Sequence, residues 1–386
     1  MKRFESRTME SRIAMRGISM VELMVAVTIG LIILAAVSQI FVTSRTTYNY
    51  QEGQARIQES GRFGFEFLSF DIRMAGYTGC LNKATTVTNN LNQTAISVPY
   101  GPGQYMTAYT YTGTGGSNPS DWTPPLPSGS TVPTPIVYFA PNEVLPYTDV
   151  IIIRRGADVS VTPKQPMQDA GGNPDPSANL KISGNTAGLA ANDIVMIGDC
   201  TSADIFQITG PASLSNSSDN DLVHNTGAGS PGNAVKPFSK GYGTDAQIMK
   251  LITRAYYVSK RGAPSGPTAG TSVLTNTNPP SLFRKELVAG AQSAQELVEG
   301  VESMRFAFGE DTDADLVANQ YKPANTVGNW TNVVSVRFGI LTQTTTDIDK
   351  DADISTYNLA GYSVTPTGST KKRRHAFNST IGIRNP

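Results

Sequence analysis

The sequence predicts an α+β fold: a long amino-terminal helix packed on an antiparallel β-sheet head that carries long loop insertions. Three features predict it. Leu23 to Ser44 is a run of 22 residues without a charge. Phe63, Phe67, Phe70 and Met74 then recur at steps of four, three and four, the spacing of one helix face. From residue 76 onward, short β-branched and aromatic runs alternate with stretches rich in Pro, Gly, Asn and Ser.

At about 1.5 Å of rise per residue, the charge-free run spans a hydrocarbon core of about 30 Å. A secretory signal has an apolar stretch of about 7–15 residues and then a small-residue cleavage site. This run is longer, and Arg45-Thr46-Thr47-Tyr48 follows it. Lys2, Arg3, Arg7, Arg12 and Arg16 against Glu5 and Glu10 give the preceding segment a net charge of +3, which holds it on the cytoplasmic side. Residues after Arg45 are then exported.

The helix is expected to continue from Thr43 to about Ala75, with Phe65, Leu68 and Ile72 widening the aromatic face and Gly76 as its stop. Residues 49–62 are mostly polar and are expected to be solvated or to face other subunits. The whole helix would run about 55 residues, about 85 Å. In the head, strands are expected at residues 136–139, 149–154, 193–197, 205–209, 248–258, 282–288, 304–308, 333–342 and 377–383. Residues 101–135 hold seven prolines and six glycines, and with 163–178 and 210–245 they are expected as surface loops or short irregular excursions. No linker separates two self-sufficient patterns, so one elaborated head is preferred to two domains. Cys80 and Cys200 both lie on the exported side, where oxidising conditions favour a disulfide between them; two buried free thiols are the alternative.

Glu22 is what a plain membrane anchor leaves unexplained, because a carboxylate in the apolar part of a membrane helix is costly unless it is paired. Gly17-Ile18-Ser19-Met20-Val21-Glu22, with its basic leader and the apolar helix that follows, resembles the processing site of class III prepilins. The resemblance implies cleavage between Gly17 and Ile18 by a prepilin peptidase and N-methylation of Ile18. Glu22 then becomes the fifth mature residue, whose carboxylate meets the new α-amino group of Ile18 in a neighbouring subunit. Two departures stand out: Ile18 occupies a position that is usually Phe in major pilins, and a 17-residue leader is long, with Met9 and Met15 as alternative starts. An uncleaved signal anchor is the other reading.

The resemblance narrows further along the chain. Arg73-Met74-Ala75-Gly76-Tyr77-Thr78-Gly79-Cys80, then Asp193-Ile194-Val195-Met196 leading to Asp199-Cys200, Phe206 to Thr209, Glu296 to Glu302 and the strand from Ala376 to Asn385 are similar to segments of PilW-type minor pilins. This implies four regions: a leader (1–17), a transmembrane and filament-core helix (18–44), its amphipathic continuation (45–75) and an exported head (76–386). It also implies a minor pilin that primes type IV pilus assembly and joins the tip complex, supporting twitching motility and adhesion. The implied partners are other minor pilins, the major pilin, a tip adhesin, the peptidase and the inner-membrane assembly platform. The prepilin would sit in the inner membrane with its head in the periplasm, and the mature protein at the extracellular pilus tip. J-type minor pseudopilins of type II secretion share the processing site, and an adhesive module on a pilin stem is a further alternative.

An enzyme is not expected. His224 and His375 have no metal-ligand spacing, no nucleophile–base set stands out, and no Walker or dinucleotide fingerprint is present. No cofactor is expected except calcium, for which Asp311, Asp313 and Asp315 form the D-x-D-x-D start of a loop with Asn319 at the ninth position. The match then fails, since Leu316 replaces the turn glycine and Lys322 the closing acid, and a solvated acidic turn is the preferred reading. The alternation Asp347, Asp349, Asp351, Asp353 has the same two readings. Lys371-Lys372-Arg373-Arg374-His375 is the one basic cluster, expected as a solvated turn before the last strand. Without the leader, 31 − 5 = 26 basic residues face 31 − 2 = 29 acidic ones, so no global field draws DNA and nucleic acid is not an expected partner.

Overall fold

A computed structural model of the chain describes residues 17–81, 86–92, 104–128, 137–169, 171–216, 218–227, 229–263, 272–288, 291–366 and 370–384. The chain divides into two compact units, Met1–Glu52 and Gly53–Pro386. The first is the apolar part of helix α1 (Met20–Arg73). Every described residue up to Gln51 is exposed, so the apolar surface of this stretch is bare among the described residues.

The second unit begins within α1, and its core is built against the last turns of that helix. The buried positions are Gly53, Ile57, Gly61, Gly64, Leu68, Asp71 and Ile72, a stripe at three- and four-residue steps. This corrects two expectations. Residues 53–62 are not simply solvated, because Gly53, Ile57 and Gly61 are buried. The aromatic repeat is also not the buried face, since Phe63 and Phe70 are about half exposed. Glycine sets the face because a β-carbon at Gly61 would meet the Phe377 ring at 2.3 Å, and one at Gly64 would meet Ile340 at 2.9 Å. The helix backbone therefore lies close against the sheet, and Phe65 fills the space beside it, 4.7 Å from the ring of Phe338. Leu68 and Ile72 complete a cluster with Phe306, Phe308, Phe338 and Ile340. Helix α1 ends where Gly76 takes a positive φ and donates its N–H to the Arg154 carbonyl, so the predicted stop is the actual one.

The strands follow in chain order. The first group is β1 (Thr86–Asn89), β2 (Met106–Tyr111), β3 (Trp122–Thr123), β4 (Val150–Val161), β5 (Asn179–Ser183), β6 (Ile194–Gly198), β7 (Ser202–Gln207), β8 (Asp219–Val223) and β9 (Gln247–Lys260). The second is β10 (Pro280–Val288), β11 (Ala291–Glu299), β12 (Val301–Glu310), β13 (Gln320–Lys322), β14 (Val333–Gln343), β15 (Tyr357–Leu359), β16 (Tyr362–Val364) and β17 (Arg374–Gly382). Among the described residues the larger sheet runs β1-β7-β6-β9-β4-β2-β3, with the β10–β11 hairpin added along β9. It is antiparallel except for the β1–β7 pair. The second sheet runs β13-β12-β14-β17, all antiparallel, and lies over α1 through Phe338, Ile340 and Phe377.

The head therefore has the expected architecture with more structure in its breaker-rich segments. Residues 101–135 are not all loop: they supply β2, β3 and a buried Trp122 whose Nε1 donates to the Thr148 carbonyl at 2.8 Å. Conversely, Val137–Phe139 is not a strand, although Val137 and Phe139 are buried against Tyr257 and Ile152. The 210–245 segment contains β8 and pins itself with buried His224, Phe238 and Tyr242.

Candidate functional site

Three features carry the functional question: the start of α1, the junction between its end and the head, and the two charged loops. At the start, Gly17 and Ile18 are exposed, Leu23 donates its N–H to the Ser19 carbonyl, and Glu22 sits in the first turn of α1. A carboxylate is favoured there by the helix dipole and the unbonded N–H groups. The apolar surface beginning beside it is the one described helix long and apolar enough to cross a membrane. No ion pair to Glu22 forms among the described residues, and in hydrocarbon such a group calls for a cation at its own depth.

The junction was not foreseen. Asp71, buried in the last turn of α1, accepts hydrogen bonds from Arg155 Nε at 3.1 Å, Arg254 Nη1 at 3.1 Å and Tyr256 Oη at 2.5 Å. Arg254 also holds Glu286 at 2.8 Å, and the Arg155 guanidinium lies 5.2 Å from the centre of the Phe70 ring. Burial, followed by the Asp71 charge, pushes the Tyr256 hydroxyl well above the ordinary phenol range, so it stays a donor. The available signal was Asp71 lying between Leu68 and Ile72 on the core stripe, opposite a strand that carries Arg154-Arg155 straight after Ile151–Ile153. A few residues on, Cys80 and Cys200 form a disulfide across a sequence separation of 120 residues, tying the segment after α1 to the turn between β6 and β7. Both cysteines are exposed, and Asp199 beside Cys200 pairs with Lys240.

The acidic loop follows β12. The ligand atoms of Asp311, Asp313 and Asp315 lie within 4.8 Å of one another, a spacing a cation can bridge. The turn itself takes part of their acceptor capacity, most of all that of Asp311. Asp311 accepts from the N–H groups of Asp313, Ala314 and Leu316, Asp315 from that of Val317, and Asp313 from the Asn319 side chain. Burial opposes ionisation of Asp311, but the N–H groups of Leu316, Ala314 and Asp313 outweigh it and hold its pKa below the usual carboxylate value. Lys322, where a calcium loop needs its closing acid, pairs with Glu310 at 2.7 Å. The donor set does not fit a complete calcium loop.

The basic cluster departs from its expected character. Lys371, Arg373 and His375 are exposed, but Arg374 opens β17 and is buried. Its guanidinium holds Glu302 through Nε at 2.6 Å and Asp353 through Nη1 at 3.3 Å. One arginine of the supposed solvated turn is therefore a core ion pair, and Asp353 is a structural partner rather than a free ligand. His224 is also internal: it stacks on Phe238 at 4.6 Å, and its Nε2 meets the Lys236 carbonyl at 3.0 Å.

These features define a class: a protein with a membrane-length amino-terminal helix whose last turns are locked, by a buried charge cluster and a following disulfide, to a β-rich head. Residues 255–385 match the family model of PilW, type IV pilus-assembly protein W. That stretch runs from within β9 through β17, about a third of the chain, and is similar to a component of type IV pilus assembly. No curated protein and no solved structure matches the chain.

Proposed function

We propose that the chain is a minor pilin, cut between Gly17 and Ile18 and N-methylated at Ile18, that primes type IV pilus assembly and joins the tip complex. The observation that carries this reading is Glu22 in the first turn of an otherwise apolar helix face that is exposed among the described residues, in a chain whose last third matches the PilW family model. Burying that face among the helices of neighbouring subunits removes apolar surface from contact with water once the subunit leaves the membrane. In such a bundle the ammonium of a neighbouring Ile18 satisfies the Glu22 carboxylate only in the correct register, so the charge pair selects register as well as adding affinity. Residues 18–44 then serve as membrane anchor and filament core, with the head in the periplasm before assembly and at the tip afterward. The partners in this reading are other minor pilins, the major pilin, a tip adhesin, the prepilin peptidase and the inner-membrane platform, and the outcome is twitching motility and attachment.

Mass spectrometry of the protein from piliated cells tests the processing step: a mature chain starting at N-methylated Ile18 is expected, and an intact amino terminus refutes it. Glu22→Ala is expected to leave the protein membrane-bound and to reduce piliation in cells that depend on this subunit. Wild-type pilus numbers with that variant would refute the role of the carboxylate.

A further inference from the structure

The head contains a pocket of about 290 Å³ that no part of the assembly reading uses. It opens between the turn at Leu145–Tyr147, the ends of β9 and β10, and the start of β17. We propose that this pocket binds a carboxylated sugar.

Charge comes first. Among the described residues, Lys260, Lys372 and Arg374 line the pocket with a single acid, Glu302. Arg374 takes both oxygens of Glu302, at 2.6 and 3.3 Å, so this acid is already neutralised. Lys260 donates one hydrogen to the Asn276 carbonyl at 2.8 Å, leaving two N–H groups, and Lys372 makes no ion pair among the described residues. Burial and the neighbouring Lys372 charge both weaken protonation of Lys260, and the Glu302 charge only partly offsets them. With the pocket's one arginine committed to Glu302, no free guanidinium fork is left for bidentate binding of a phosphate. Two point-charge ammoniums suit a carboxylate.

The walls identify the rest of the ligand. Asn278, Gln343, Thr277 and Thr365 present amide and hydroxyl groups, while Leu145, Val273, Leu341 and Val364 give an apolar surface. That mixture matches a ring with hydroxyls on its edge and C–H groups on its face, and the volume suits one such ring. Tyr147 stands at the rim with a left-handed backbone (φ 62°), a costly conformation for a bulky residue. It is fixed there by Ser303 Oγ, which donates to its carbonyl at 3.1 Å, and by the Tyr111 ring at 5.1 Å. A peptide carboxy terminus would instead meet a nest of backbone N–H groups.

The pocket stands whether or not the chain is cleaved and assembled, so its test is separate from piliation. The full chain in non-ionic detergent is titrated with glucuronate, glucose and inorganic phosphate, followed by saturation-transfer NMR and calorimetry. Glucuronate is expected to bind, with glucose weaker by about tenfold or more and phosphate unable to displace it. Lys372→Gln and Lys260→Gln are each expected to weaken glucuronate by about tenfold, with unfolding temperature unchanged for the first. The proposal is overturned by absence of glucuronate binding, by equal binding of glucose, by displacement with phosphate, or by unchanged affinity in a folded Lys372→Gln protein.

Discussion

Replacing Asp71 with alanine removes one carboxylate and strands three donors at once. Arg155 Nε and the Tyr256 hydroxyl lose the acceptor they use, while Arg254 keeps Glu286 and Arg155 keeps Asp158 through its Nη1. Breaking a buried ion pair from one side costs about 3–5 kcal/mol, and the retained partners favour the lower end, about 3 kcal/mol. At about 2.1 cal/mol/K of unfolding entropy per residue, the Gly53–Pro386 unit of about 330 residues carries about 0.7 kcal/mol/K. The expected loss in Tm is therefore about 4 °C, read by near-ultraviolet circular dichroism of the full chain in detergent. The cost arises from uncompensated charge rather than from lost attraction, so Asp71→Leu combined with Arg155→Met and Arg254→Met is expected to recover more than half of it. A Tm within about 1 °C of wild type for Asp71→Ala would refute the reasoning, as would a triple variant less stable than the single one.

Other consequences are open to equally direct measurement. Cys80→Ala with Cys200→Ala opens a loop spanning 120 residues and is expected to cost about 5 kcal/mol by the chain-entropy estimate, lowering Tm by about 7 °C; reduction by dithiothreitol should reproduce the shift. Leu316 is exposed with φ 67°, so Leu316→Gly is expected to stabilise by up to about 1 kcal/mol, read as a higher urea midpoint. Burial holds the His224 pKa below its ordinary 6.5 in the folded head. Below pH 6.5 the unfolded chain takes up this proton before the native one does, so the stability His224 contributes is complete above 6.5 and is lost as pH falls toward the depressed folded value. Tm measured from pH 8 to 5 is expected to fall less steeply for His224→Gln than for wild type, and parallel profiles would refute this.

What could be read from the residues alone was whatever depends on local pattern. The charge-free run, the glycine that ends α1 and the β-branched runs that became β4, β6, β9, β12 and β14 are written in neighbours along the chain, where period and composition carry the information. The Cys80–Cys200 disulfide was legible because the sequence holds only these two cysteines, both on the side of the apolar run expected to be exported. The face of α1 was not. Aromatic spacing pointed to Phe63 and Phe70, but burial followed Gly61 and Gly64, because close approach to the sheet depends on what the partner strand presents, here Phe377 and Ile340, more than 250 residues away.

The same limit hid the buried charges. Arg374 reads as one cation in a basic turn, and only its approach to Glu302 and Asp353 makes it a core residue. Trp122 reads as one aromatic in a proline-rich stretch until Thr148 supplies its acceptor. By itself the sequence determined the membrane-length helix with its single acid, the two-cysteine head and the resemblance to PilW-type pilins, all properties of adjacent residues. Tertiary structure decided which face of that helix is buried, that Asp71 locks it to the sheet, and that Lys260 and Lys372 share a pocket. Each of these depends on a distance between groups far apart in the chain, and a linear pattern does not encode such a distance.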